Sequence, residues 1–422
     1  MTSNGSAPLL PLGHCDSNAG IRGEKGDGMK KNGVGKVALL IIANCAGSGI
    51  LSLPKAMNGA GLWPACAMLV MASVLSSYTA DLLGRCYSMT EMHARSGKRS
   101  AEKYFSKSPY AAIGFSAAGK FGAIAVTTAQ VLTQFSVLVL FFLVSGVNLN
   151  KLAPRFSTLF YSLVCAAALT PFMLLKPNHV WSTALFAIFA STALVCVIIY
   201  LCASHAPHVP YTPSPPVTFS SFGAAFGVIL FGFGGHAILP ALQGTLSNPT
   251  PSRFRMAIVW SFAICTFMYL STSIASVVTL GGSINGDVLI SFSGTMNDVG
   301  LALVTSHLLF AAITVHIPLG QIIDHYAQCK SMSIRQIAAR IITMSLVAAI
   351  IWLVGDNFYC VVAVVGGTCN NAMIFLMPPF FYYRLISPDQ RTTITTIKVV
   401  SVMAIGFAGM IASLAGTSDC AS

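Results

Sequence analysis

Eleven apolar runs recur between residues 36 and 415, and no other feature of the chain limits its fold as tightly. A helix needs roughly 20 consecutive apolar residues to cross a hydrocarbon core of about 30 Å. The runs lie near 36–58, 62–83, 121–146, 156–174, 180–202, 220–243, 255–280, 299–324, 337–355, 358–383 and 394–415. Runs of this length meet the backbone's hydrogen-bonding needs in lipid as helices. Only 9% of the 422 residues are charged, against roughly 25% in a soluble domain. The expectation is an all-α polytopic membrane protein with one transmembrane domain over 36–415. A disordered N-terminal tail at 1–35, rich in Gly, Ser and Asn, and a short tail at 416–422 flank it.

Basic residues give the orientation, because Lys and Arg collect in cytoplasmic loops. With the N-terminus inside, Arg22, Lys25, Lys30, Lys31 and Lys36 precede the first span and seven more follow the second. Lys176, Arg253, Arg255, Lys330, Arg335, Arg340, Arg384, Arg391 and Lys398 complete an inside set of 21 out of 24. Lys151 and Arg155 lie outside, and Lys55 falls within the first span, where it is expected to snorkel to the outer interface, a charge at an outer gate being the alternative. The net charge of +12 is therefore topological and asks for no nucleic-acid partner. An odd number of spans places the Ser422 end outside or in a lumen. Most of the twelve cysteines sit within spans as small apolar residues, and no pair has zinc-ligand spacing. A disulfide on the outer side, through Cys66, Cys202, Cys360 or Cys420, is left open.

Two of the runs are interrupted in the same way. The first reads Asn44-Cys45-Ala46-Gly47-Ser48-Gly49-Ile50-Leu51-Ser52-Leu53-Pro54, and the sixth reads Phe231-Gly232-Phe233-Gly234-Gly235-His236-Ala237-Ile238-Leu239-Pro240. In each, a glycine cluster lies mid-span and its last Gly precedes a Pro by five residues. Unwinding a helix there frees N–H groups at the start of one half-helix and C=O groups at the end of the other. The first attract a carboxylate and the second an ammonium group or Na⁺. Glycine supplies unusual dihedrals and close approach. Glycines that merely let helices pack closely are the alternative, but two clusters five spans apart favour a transporter site between repeats. Spans 1–5 and 6–10 are then a 5+5 inverted repeat, and span 11 is an addition.

At these residues the chain resembles the amino acid/auxin permease family, over roughly 34–415. Asn44 to Pro54 is similar to that family's N-x-x-G-S-G-I-L-x-L-P pattern, and Phe231 to Pro249 to its sixth-helix signature, with GGHAILP and a following Asn-Pro. Pro171 with Leu174 and Leu175, and the eighth span near Pro318, match less specifically. The resemblance implies the broken-helix fold of the amino acid–polyamine–organocation group and transport of small neutral amino acids. It implies substrate contacts from Ala46, Gly47, Ser48, Gly49, Phe231, Gly232, Phe233, Gly234 and Gly235. In sodium-coupled relatives the first-helix Asn, here Asn44, and an eighth-helix Thr, here Thr314, form the cation site; an ordinary helix Thr bonded to its own backbone is the alternative.

His236 is the ionisable group of the second interruption and can bind a proton near its reference pKa of about 6.5. A neutral His bonded to a carbonyl is the bland reading. His307, His316 and His325 do not form a metal site, since nine helical positions turn neighbours to opposite faces. Asp81 and Asp324 are expected to pair locally with Arg85 and Lys330. The function expected is secondary active transport, H⁺-coupled or else Na⁺-coupled, with no cofactor and no obligate protein partner beyond the bilayer. A transceptor, a channel, or an enzyme using Ser48 are the rivals, and Ser48 lacks the strand-to-helix turn of a nucleophile elbow. The membrane is that of the cell surface or of a vacuole or lysosome.

Overall fold

The computed structural model describes residues 32–47, 49–95, 108–174, 180–205, 211–329, 332–355 and 357–417. The expected disordered tail lies, up to residue 31, outside them, as do residues 418–422 of the C-terminal tail; α1 already begins at Val34. The first span is two helices, α1 (Val34–Cys45) and α2 (Gly49–Gly59), bent by 61°. α3 (Leu62–Arg95) continues past the expected end of span 2. The Asp81–Arg85 pair, one turn apart, supports that polar extension.

α4 (Pro109–Leu152) is also longer than expected and kinks at Ala118–Gly119, where Gly119 takes φ +61°. Only glycine adopts that conformation without cost. The helix before the kink folds back so closely that a Cβ on Gly114 would lie 2.5 Å from the Gly122 carbonyl. The described parts of the segment between the second and third runs, 84–95 and 109–120, are therefore helical where a loop was expected. α5 (Thr158–Leu169) tightens into a 3₁₀ turn, Thr170–Leu174, at Pro171, which lacks the amide an α-helix needs. α6 (Val180–His205) follows.

The sixth span is again two pieces, α7 (Phe219–Gly232) and the short α8 (Leu239–Gly244). Then come α9 (Pro251–Leu280), α10 (Thr295–Tyr326) and α11 (Ile334–Val354). The tenth span starts as α12 (Phe358–Val365), widens into π-helix at Gly366–Asn370 and Ala372–Leu376, and ends as α13 (Met377–Leu385). α14 (Thr393–Gly416) is last.

Among the described residues, eight helices are long and apolar enough to cross a membrane, nine if the bent first pair counts as one. The fourth and sixth expected spans correspond to Thr158–Leu174 and Phe219–Gly232, which are shorter than a full crossing. Each expected run has a helical counterpart, while the full set of eleven crossings rests on the sequence. Large apolar side chains such as Phe121, Trp260, Phe267, Trp352 and Phe407 stand exposed around the bundle, the surface lipid requires. The chain is an integral, multi-pass membrane protein.

In lipid, helices associate through close packing and hydrogen bonds rather than burial from water. α7 is gripped in this way: a Cβ on Gly223 would collide with the Ala412 carbonyl on α14, and one on Gly227 with the Ala363 carbonyl on α12. α9 packs on α3, α1, α6 and α2. α10 packs chiefly on α4 and α6. Cys66 and Cys202 are free thiols, whereas Cys360 is in a disulfide whose partner lies outside the described residues.

Candidate functional site

The first interruption occupies the three residues between Cys45 and Gly49; Ser48, which lies outside the described residues, is one of them. Here the backbone leaves the helical pattern, with Ala46 at φ −78°, ψ 57°. The freed carbonyls find side chains of other helices. Cys45 O accepts from the Gly47 amide (2.8 Å) and from the Tyr269 hydroxyl on α9 (2.7 Å). Ala46 O accepts from Ser191 Oγ on α6.

The second interruption, residues 233–238, is a chain of tight turns: Gly234 N donates to Phe231 O (3.0 Å), Gly235 N to Phe233 O (2.8 Å) and Ile238 N to Gly235 O (3.1 Å). Gly232 O accepts from Tyr269, also at 2.7 Å. Ala237 O accepts from Gln130 Nε2 on α4 at 2.8 Å. One tyrosine hydroxyl thus meets a carbonyl from each broken helix.

The two interruptions touch. A Cβ on Gly49 would lie 3.1 Å from the Cα of Gly232, and one on Gly235 would lie 3.3 Å from Cys45 Sγ and 3.6 Å from Asn44 Nδ2. A Cβ on Gly234 would land on the amide of Asn370, which the π-helical turn of the tenth span carries into place. Contrary to the sequence expectation, none of these glycines has a positive φ. The turns at the breaks use ordinary dihedrals, so glycine is needed there for approach and not for handedness. Phe233 is fully buried, edge-on to Phe262 and Tyr269 at 5.6 Å each, and Phe231 is nearly so. The structure therefore brings together all the described residues expected to contact substrate: Ala46, Gly47, Gly49, Phe231, Gly232, Phe233, Gly234 and Gly235.

The three residues expected at the coupling ion are spread out. Asn44 lies beside Gly235. His236 faces α3, its Nε2 3.1 Å from Thr79 Oγ1, and its ring stands 6.3 Å from that of Phe262. Thr314 is half-buried on α10, seven residues past His307. His307 itself, set aside in the sequence, is buried against the first interruption: its Nε2 lies 3.1 Å from where a Cβ of Gly47 would be. His316 instead stands near Arg340 across Gly320.

Tyr269, Ser191, Gln130, His307 and Asn370 are the contributors that sequence reasoning missed. Each is a polar residue in an apolar run, a signal shared with many Ser and Thr that merely bond their own helix, as Thr272 and Ser276 do.

Charged groups gather at the end of the bundle where α1 begins. Asp81 pairs with Arg85 (3.0 Å) and also with Arg255 on α9 (2.8 Å). Asp324 pairs with Arg340 at 2.6 Å, with Gln336 Nε2 at 2.7 Å; Lys330, the partner expected, lies outside the described residues. Asn32 bonds the turn after α8, at Thr245 O (2.8 Å) and the Ser247 amide (2.9 Å).

The family model described as transmembrane amino acid transporter protein matches residues 30–418, nearly the whole chain. The chain belongs to that family. Similar family members include the amino acid transporter AVT1E of Arabidopsis thaliana, 22% identical over 388 residues, 88% of this chain and 69% of that one. Amino acid transporter AVT1H of the same plant is 25% identical over 252 residues, 58% of this chain and 55% of that one. Among solved structures, MhsT in complex with L-phenylalanine superposes with a TM-score of 0.58 at 14% identity, covering 90% of this chain and 98% of MhsT. MHP1, a nucleobase-cation-symport-1 family transporter in a closed conformation with bromovinylhydantoin bound, gives 0.54 at 14% identity, covering 91% of each. These two likenesses establish the fold: an all-helical transporter architecture of inverted repeats with broken helices 1 and 6. The chain is a transporter of this family and not an enzyme.

Proposed function

We propose that this family member is a secondary active transporter of small neutral amino acids, working by alternating access and driven by protons, with Na⁺ as the alternative coupling ion. The observation that carries the reading is the meeting of two broken helices at one hydroxyl. A tyrosine hydroxyl has a single hydrogen. It can serve only one of the two carbonyls fully, so the other is available to an ammonium group. The start of α2 faces the same joint and favours a carboxylate. Neither interruption carries an acidic or basic side chain other than His236, and Phe231 and Phe233 line the joint. A zwitterion with a small uncharged side chain suits such a lining.

Ala46, Gly47, Ser48, Gly49 and Phe231 to Gly235 are the proposed substrate contacts, with Asn44, His236 and Thr314 the proposed ion-coupling groups. The basic end of the bundle is proposed to be cytoplasmic. The membrane is that of the cell surface or of a vacuolar or lysosomal compartment. The test is uptake of a radiolabelled amino acid panel by proteoliposomes holding the purified chain, under imposed H⁺ or Na⁺ gradients. Small neutral amino acids should accumulate when protons flow inward. Accumulation that needs Na⁺ at every pH would overturn the proton reading. Binding without flux would replace a carrier with a sensor.

A further inference from the structure

The most informative group outside the expected site is the imidazole of His307. It is 2% exposed, and Nδ1 lies 3.2 Å from the Ala187 carbonyl on α6. A carbonyl only accepts, so Nδ1 carries the hydrogen and the neutral ring presents a lone pair at Nε2. Nε2 has no hydrogen-bond partner among the described residues and points at Gly47. One helical turn along α6 from Ala187, Ser191 donates to Ala46 O. α6 and α10 thus converge on Ala46 and Gly47 of the first interruption, where a buried, unmatched basic nitrogen faces unwound backbone. His236 Nδ1 is likewise buried and unmatched, but it lies in the second interruption and its ring is held by Thr79.

We propose that Nε2 of His307 is the atom that binds the transported proton and so ties the ion gradient to the conformation of the first broken helix. This rests on the proton-coupled reading above. Protonation converts Nε2 from an acceptor without a partner into a donor aimed at unwound backbone, and a carbonyl of that backbone must move onto it, since none bonds it in the neutral state. The imidazolium then draws the α1–α2 joint onto α10. Loss of the same proton from Nε2 on the low-proton side releases the joint, and no other bond is made or broken.

Among the described residues no charged side chain stands beside the ring. On α1, Cys45 lies against Gly235; on α6, His205 stacks on Phe292; on α4, Lys120 sits near the kink and Lys151 bonds Ile290 O. On α10 itself, Asp298 and Asp324 are nine and seventeen residues away. A proton arriving at this ring would be the local charge the joint responds to.

The test is His307→Gln in full-length protein in proteoliposomes, given a mixture of radiolabelled neutral amino acids. Wild type under an inward gradient of about two pH units should accumulate label up to about a hundred-fold per proton carried, because each pH unit is worth about tenfold. His307→Gln keeps an amide able to bond Ala187 O but holds no proton. It should retain measurable exchange of internal for external amino acid, yet accumulate to no more than the equilibrium level whatever the gradient. A variant that neither exchanges nor accumulates gives His307 a merely structural role, and overturns the proposal. So does gradient-driven accumulation by His307→Gln equal to wild type.

If wild type itself ignores the pH gradient, the proton-coupled reading falls and this inference with it. If wild type responds and the variant responds equally, only His307 is excluded. Should the variant not fold, ¹⁵N-histidine spectra of wild type in liposomes decide. A buried ring that gains a second proton as pH falls is expected, and rings that keep an unprotonated nitrogen throughout overturn the assignment.

Discussion

Replacing Tyr269 by Phe removes one oxygen from a fully buried ring and leaves the rest of its packing in place. The hydroxyl donates at 2.7 Å toward Cys45 O and Gly232 O. Cys45 O keeps the Gly47 amide as a partner, so the group left short is Gly232 O. A buried acceptor stripped of its donor costs about 1–3 kcal/mol, a factor of about 5 to 150 in the population of the state that holds both interruptions together. Tyr269→Phe should therefore melt at lower temperature in detergent and show altered half-saturation for uptake. The control is Tyr161→Phe. Its hydroxyl bonds Ala153 O at the same 2.7 Å, but in an exposed loop where water replaces it, so its cost should stay within about 0.5 kcal/mol. A Tyr269→Phe protein that melts and transports as wild type does would refute the idea that one hydroxyl joins the two broken helices.

Asp287, in the segment between α9 and α10, has one carboxylate oxygen on the Leu289 amide at 2.9 Å and the other unmatched. Burial pushes its pKa up to about 7, against the lowering pull of that amide and of Lys151. The folded protein then holds this proton more tightly than the unfolded chain. The stability it contributes is full below pH about 4, declines as pH rises through about 7, and is flat above. Asp287→Asn should abolish that slope and raise stability at pH about 8 by at most about 4 kcal/mol, read as melting temperature against pH; an unchanged slope would exclude Asp287 as its source. Gly234→Val should abolish uptake while inserting normally, because its side chain would occupy the Asn370 amide; normal uptake would show the contact to be slack. Single cysteines at Ser214 and Asp389, both exposed, should label from opposite sides of the membrane in a cysteine-depleted background; labelling of both from outside would overturn the orientation.

Much of the site was legible because its signal is local. The Gly-Ser-Gly and Gly-Gly-His clusters lie mid-run and each precedes a Pro by five residues, and the structure unwinds the chain at both. The glycines of the breaks serve only one of the two purposes expected of them: Gly49 and Gly234 allow close approach, whereas positive φ falls at other glycines, among them Gly119 at the kink just ahead of the third run. Helix ends were misjudged where polar residues continue a helix beyond lipid, as α3 does to Arg95.

The sequence by itself determined the solvent, the class and the places where helices break. Hydropathy measures transfer into lipid, and a glycine cluster weakens a helix wherever it lies. Only the tertiary structure decided what meets the breaks. Tyr269, Ser191, Gln130 and His307 are separated from them by 37 to 260 residues at their nearest or farthest pairing, 37 from Gly232 to Tyr269 and 260 from Gly47 to His307. Helical period tells which residues share a face of one helix, but not which neighbour that face meets. That depends on how helices rotate and cross in the bundle, and there a carbonyl freed on α1 finds its donor on α6 or α9.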